Sequence, residues 1–127
     1  MTAPWHIYRV NNCRHTTPPK DKYVVIVCLN PNPYGFLINS EVSSFVRSRP
    51  ELLSSQVRVT AAKYGFLKHD SYINCGQLFS FKSGELHSVQ GVQNNTRGEV
   101  KRVVAGSRLI APIYKRLICG KEVAESP

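Results

Sequence analysis

The sequence predicts a mainly β domain of α+β type: a small barrel or strongly bent sheet of about five to seven short strands, followed by C-terminal helices. Three observations carry this. Residues 23–29 read Tyr-Val-Val-Ile-Val-Cys-Leu, a β-branched apolar run suited to a central strand covered on both faces. Short alternating segments recur on either side of it, each bounded by Gly, Pro or Asn. From Thr96 onward the apolar period changes to helical spacing.

Residues 5–10 alternate apolar and polar side chains imperfectly, as a first strand would. Residues 11–22 contain Asn11-Asn12, Thr16-Thr17 and Pro18-Pro19, which break regular structure; the stretch reads as a basic loop, long for a hairpin connection. After the central strand, Asn30-Pro31-Asn32-Pro33 is a turn, and residues 35–40 form a third strand antiparallel to the second. Residues 41–55 are polar, anchored by Phe45, Val46, Leu52 and Leu53, with Pro50 able to open a short helical turn. Val57 and Val59 alternate with Arg58 and Thr60 in a half-buried strand over 56–61. Residues 71–81 are long enough for one bent strand with a bulge at Gly76, and 82–85 turn the chain into a last strand over 86–92. Thr96 and Glu99 have the spacing of a capping box ahead of Val100, Val103 and Val104, and Gly106 ends that helix. Pro112 opens a second helix carrying Ile113, Leu117 and Ile118, which Gly120 stops.

At 127 residues the chain is expected to be one domain, 1–127, with 1–4 and 121–127 frayed. A chain of this size removes roughly two-thirds of its extended surface from water and needs no staple. No apolar run approaches the ~18 residues of a membrane span, and the first residues lack an apolar signal core, so a cytoplasmic location is expected. Four scattered cysteines, Cys13, Cys28, Cys75 and Cys119, form no CxxC pair and are expected as reduced thiols; neither metal nor cofactor is expected.

Charge narrows the partners. Seventeen Lys and Arg face eight Asp and Glu, a formal net charge of +9. No carboxylate precedes Asp21, while Arg9, Arg14 and Lys20 do; between Arg97 and Lys121, Glu99 is the one acid. Such imbalance favours phosphate backbones or an acidic protein partner. The second focus is His69-Asp70-Ser71-Tyr72-Ile73-Asn74-Cys75-Gly76-Gln77, where imidazole, carboxylate, carboxamide and thiol fall on a strand-like segment.

A first strand, a basic loop, Tyr23-Val24-Val25-Ile26-Val27, a third strand ending Ile38-Asn39-Ser40, and the 69–77 segment together resemble the MazF/PemK/Kid toxins of toxin–antitoxin pairs, over about residues 5–118. The order of elements carries the resemblance more than any single motif. It implies a CcdB-like fold, an SH3-like barrel with helices. It also implies a metal-independent endoribonuclease that cleaves single-stranded RNA by 2′-hydroxyl attack, acts as a homodimer and is inhibited by an antitoxin. Carried over by position, Ser40 matches a phosphate-side hydroxyl, and Lys20 or Lys22 stands near an arginine of the family. His15 lies in the first loop. Where Kid-type toxins have Arg-Cys-Asp-Gln, this chain has Asn74-Cys75-Gly76-Gln77, so the family's arginine and aspartate are absent. His69 and Asp70 are the nearest replacements.

The expected catalytic set is therefore His69, Asp70, Lys22 and Ser40, with His15, Lys20, Asn39, Asn74 and Gln77 contacting RNA. The 11–22 loop and the 41–55 connection would flank the groove. Each residue also has a plainer reading: Asp70 capping backbone amides, His69 on the surface, Lys20 and Lys22 in a solvated loop, Ser40 capping a turn. Tyr64, Phe66 and Tyr72 either stack on bases or fill the core. The alternative function is a non-catalytic barrel of the same fold that binds a protein or nucleic acid. A topoisomerase-directed poison suits the chain less, since Ala124-Glu125-Ser126-Pro127 carries no aromatic residue.

Overall fold

The computed structural model describes residues 2–120; Met1 and 121–127, and with them the expected C-terminal fraying, lie outside it. Among the described residues are seven strands, four α-helices and a 3₁₀ turn over Ser83–Glu85. In chain order the strands and α-helices are β1 (His6–Cys13), β2 (Lys20–Leu29), β3 (Pro33–Asn39), α1 (Ser44–Arg47), α2 (Pro50–Leu53), β4 (Gln56–Val59), β5 (Ser71–Asn74), β6 (Phe79–Ser80), β7 (His87–Gly91), α3 (Asn94–Ala105) and α4 (Pro112–Cys119). The strands make one antiparallel sheet in the order β4-β5-β3-β2-β1-β7, with β6 also on β3. The α+β class and the C-terminal helices match the sequence reading. The sheet is not closed into a barrel, because β4 and β7 end the strand path without pairing. Three residues after β7 the chain enters α3, which packs against β4.

β2 is covered on both faces, as its apolar run requires. Val25 and Val27 enter the larger core with Phe36, Ile38, Val57, Ile73, Val100, Val104 and Ile118. Val24 and Ile26 enter a second core with Tyr8, Val10, Leu37 and Phe81 on the opposite face. Period-two alternation divides the strands between the cores, and α3 and α4 cover the larger one. Gly35 lies where β3 crosses β2 too closely for a side chain: a Cβ there would sit 2.5 Å from the Val25 carbonyl oxygen.

Three local expectations change. The first loop is shorter than 11–22, because β1 continues to Cys13 and β2 begins at Lys20. A register shift between Val10 and Cys13, with Asn12 at φ 49°, carries β1 through the Asn-Asn pair as a bulge. The segment 71–81 is two strands, β5 and β6, separated by a turn whose Gly76 amide donates to Asn74 Oδ1 at 3.1 Å. In the 41–55 connection Pro50 opens the short helix α2, as its sequence predicts, and α1 precedes it.

The Thr96–Glu99 capping box is not formed. α3 starts at Asn94, its N-cap is Gln93 without a side-chain cap, and Thr96 is buried. Tertiary packing overrides the local motif: the buried Tyr64 hydroxyl bonds Thr96 Oγ1 at 2.7 Å and accepts from the Gln93 amide at 3.1 Å. Glu99 instead lies 3.8 Å from Arg102. Cys13 and Cys75 fall in opposite cores, and all four cysteines are buried and unpaired by disulfides. Among the described residues no helix is long and apolar enough to cross a membrane.

Two measurements test this packing. Tyr64→Phe leaves the Gln93 amide and Thr96 hydroxyl without their shared partner, so it is expected to lower the unfolding free energy by about 1–3 kcal/mol in urea titration. Burial pushes the Cys28 thiol up from 9.0 to about 11. The unfolded chain therefore ionises first, and this group's stabilising contribution, complete below pH 9, is lost as pH rises to about 11. Under reducing conditions, the stability advantage of the native chain over Cys28→Ala in urea titration is expected to shrink across that window.

Candidate functional site

One end of the sheet concentrates polar side chains. A cleft of about 270 Å³ is lined by Arg9, Asp21, Lys22, Tyr23, Ile38, Ser40, Phe66, Leu67, Lys68, His69 and Ser71. The strand register builds its floor. Arg9 pairs across from Tyr23, and Tyr23 from Ile38, while Ser40 follows the end of β3 and Ser71 opens β5. The segment 66–69, which leads into β5, forms one wall. Phe66 anchors that wall, its ring 4.6 Å from that of Tyr23.

Cations dominate the lining: Arg9, Lys22 and Lys68, with the imidazole of His69, against the single carboxylate of Asp21. Asp21 is engaged, accepting from Arg9 Nη2 at 3.0 Å and from the Asn12 amide at 2.9 Å. Lys22 donates from Nζ to Asn39 Oδ1 at 2.6 Å. Burial, followed by the nearby Lys20 charge, holds the Lys22 pKa below the usual lysine value of 10.5. The cleft thus offers a serine hydroxyl and an imidazole at its wall, with the half-buried Lys22 at its rim and its ammonium held by Asn39 on the second-core face, a set that can bind an anion and move protons to and from it.

Three of the four residues expected to be catalytic thus share the cleft: Lys22, Ser40 and His69. Asp70 does not line it. Its Oδ2 accepts from Arg58 Nη2 at 2.6 Å and its Oδ1 from the Ala61 amide at 2.9 Å, the amide-capping arrangement its sequence position also allowed. Asn39 enters the site through Lys22. Lys20 is exposed at the start of β2 and acts on Lys22 through its charge.

The remaining expected RNA contacts lie elsewhere. His15 bonds the Ser80 carbonyl at 2.8 Å and stacks on Phe79 at 4.4 Å, while Arg14 donates to the same carbonyl at 3.1 Å. These bonds hold the first loop against β6, away from the cleft lining. Asn74 is occupied within the sheet, accepting from Gln56 Nε2 at 3.0 Å and from the Gly76 amide. Gln77 lies beside a separate pocket with Tyr34 and Tyr114. The α1–α2 connection does not flank the cleft; Glu51, Ser54 and Ser55 line a pocket with the end of α3. Among the described residues, no three His, Cys, Asp or Glu side chains converge as metal ligands.

Sequence reasoning passed over Arg9, Asp21, Tyr23 and Lys68. The signal for Lys68 was adjacency, since it precedes His69. Asp21 and Tyr23 likewise flank Lys22, whereas Arg9 could be found only from strand register, because it meets them across β1 and β2.

The Lys22 environment has a two-signed test. Asn39→Ala removes the oxygen that favours the ammonium, so the Lys22 titration followed by NMR is expected to move further down. Lys20→Gln removes the neighbouring positive charge and is expected to move it up.

No protein-family model matches this chain, and no curated protein matches it; the site rests on its own geometry.

Proposed function

We propose that this chain is a toxin-type endoribonuclease of the MazF/PemK/Kid kind, acting on single-stranded RNA without a metal ion. The observation that carries the reading is the convergence of Lys22, Ser40 and His69 on one cation-rich cleft. The net charge of +9 supports a polyanionic substrate. In this reading the scissile phosphate lies among the three side chains. The His69 imidazole takes the proton of the 2′-hydroxyl as its oxygen attacks phosphorus. Ser40 donates to a non-bridging oxygen, and the Lys22 ammonium offsets the developing charge. As the bond from phosphorus to the 5′-oxygen breaks, Lys22 gives that oxygen a proton, a role suited to an ammonium whose pKa is lowered by burial. The products are a 2′,3′-cyclic phosphate and a 5′-hydroxyl. Asp70 takes no part in this scheme.

A homodimer working in the cytoplasm under an acidic antitoxin completes the proposal. The antitoxin suits the C-terminal region, where exposed Leu109, Ile113 and Leu117 are interspersed with Arg108, Lys115 and Arg116. The engagement of Asp70 with Arg58 and the Ala61 amide favours a second reading, a member of the same fold that binds RNA or protein without cutting.

Incubation with long single-stranded RNA in the presence of a chelator separates the two. Cleavage leaving cyclic phosphate ends is expected, falling about 10²- to 10⁴-fold in His69→Ala and in Lys22→Met. Intact RNA across several unrelated sequences would overturn the nuclease reading. Binding is the function if His69→Ala keeps its full effect on cell growth while Lys22→Glu loses it.

A further inference from the structure

A second cavity, of about 410 Å³, lies on the other face of the sheet from the cleft and at the other end of its strands. Its walls include Tyr8, Leu29, Pro31, Pro33, Leu86 and Ser88, and among the described residues no charged side chain lines it. Tyr8 and Leu86 belong to or pack on the second core, whereas the cleft's Tyr23, Ile38 and Leu67 lie with the larger one. β2 and β3 reach the cleft at Tyr23 and Ile38, and the cavity at Leu29 and Pro33. Ser88 on β7 stands opposite Tyr8 on β1, so both project from the cavity's face.

At this wall a base meets a hydroxyl. His6 Nε2 lies 2.7 Å from Ser88 Oγ, within hydrogen-bond reach of a nucleophile and its base. Two departures from regular backbone aim the pair. The β1–β7 register shifts between Ile7 and Tyr8, which puts His6 opposite Gly91, and a bulge of this kind redirects a side chain. Trp5, just before His6, is held at φ 59°, a conformation rare for a bulky residue. Its amide donates to the Ile26 carbonyl at 2.6 Å, and its carbonyl accepts from the Val92 amide at 3.0 Å. The His6 ring packs 4.8 Å from that of Tyr8. Tyr8 is only 4% exposed, and its hydroxyl accepts from the Ala3 amide at 2.8 Å. Among the described residues the hydroxyl's own proton has no acceptor, which leaves a buried donor on a residue that lines the cavity.

We infer that Ser88 and His6 form a nucleophile–base pair that hydrolyses small neutral carboxylic esters bound in this cavity. The uncharged lining suits an apolar acyl group against Leu29, Pro31, Pro33 and Leu86, and it offers no counter-charge to a phosphate. Ser88 is exposed, so its Oγ is open to an incoming ester. With the imidazole proton on Nδ1, Nε2 accepts from the Ser88 hydroxyl. Oγ bonds to the carbonyl carbon as its proton passes to Nε2, and the Tyr8 hydroxyl donates to the oxygen that becomes negative. The bond from that carbon to the alcohol oxygen then breaks, and the departing oxygen takes the proton from Nε2. Water gives a proton to Nε2 as it attacks the acyl-serine; Oγ leaves with that proton, and the carboxylic acid is released. Among the described residues no carboxylate bonds His6, so its orientation rests on the Tyr8 ring, and turnover is slower than in a triad.

The experiment exposes the full chain to an alkyl fluorophosphonate, which marks the nucleophile, and to p-nitrophenyl butyrate, which reports turnover. The fluorophosphonate is expected to add at the peptide carrying Ser88, with loss of fluoride, as read by mass spectrometry. Ester hydrolysis is expected to begin with a burst of nitrophenol, the mark of an acyl-serine. Ser88→Ala should abolish both adduct and burst. His6→Gln keeps a hydrogen-bonding side chain but no base, and should slow both reactions about 10²- to 10⁴-fold. Tyr8→Phe keeps the ring against His6 and should lower ester turnover about 10²- to 10³-fold. No adduct on the native chain, or an adduct confined to residues other than Ser88, overturns the inference. An adduct at Ser88 that forms equally fast in His6→Gln overturns the pair, leaving an ordinary surface hydroxyl. The labelling of the native chain depends on no variant's folding, so the outcome stands even where a substitution disturbs the sheet.

Discussion

The pairing of β2 with β3 is the constraint on which the rest depends. Its register sets Tyr23 opposite Ile38 and Val25 opposite Phe36. A one-residue slip would exchange the two faces of a strand and send Val24 and Ile26 into the wrong core. Gly35 permits the close crossing, since any Cβ there would collide with the Val25 carbonyl. The same register places Lys22 beside Asn39, so the fold's central hydrogen-bonded ladder also sets the chemistry at its end.

The functional end and the stable middle of the sheet are therefore built by one alternation. Where β1, β2, β3 and β5 are fully packed, opposed pairs are apolar and fall into one core or the other. Near the strand ends the opposed positions become Arg9, Asp21, Lys22, Asn39 and Ser40, which can be half-solvated without the cost of burying an unpaired charge. Phe66 and Leu67 then fasten the preceding loop to the larger core and leave Lys68 and His69 at the cleft. Burial adjusts the result: Lys22 is enclosed enough to lower its pKa yet keeps a hydrogen-bond acceptor for its ammonium.

Short-range motifs misled where a longer-range partner competed for the same group. Thr96 and Glu99 have capping-box spacing, but a buried Tyr64 hydroxyl claims Thr96, 32 residues away. His69 and Asp70 are sequence neighbours, yet the turn sends one to the cleft and the other to Arg58. His15 looked available in a polar loop, and its ring is instead stacked on Phe79 with a nitrogen on the Ser80 carbonyl. Each of these pairings joins residues far apart in the chain, so local composition carries no trace of them.

Periodicity alone determined the α+β class, the central strand covered on both faces, the turn after it, and the two C-terminal helices begun or ended by Pro112, Gly106 and Gly120. These features follow from backbone preference and apolar spacing, which are local properties. Residue types also singled out Lys22, Ser40 and His69, because few side chains can bind phosphate or carry a proton. Only the tertiary structure decided that these three share a cleft, that Asp70 does not, and that Arg9, Tyr23 and Lys68 do. The open strand path, with β4 and β7 unpaired at its ends, was decided there too. Those outcomes depend on which distant strands pair and in what register, and that is set by the packing of the whole core.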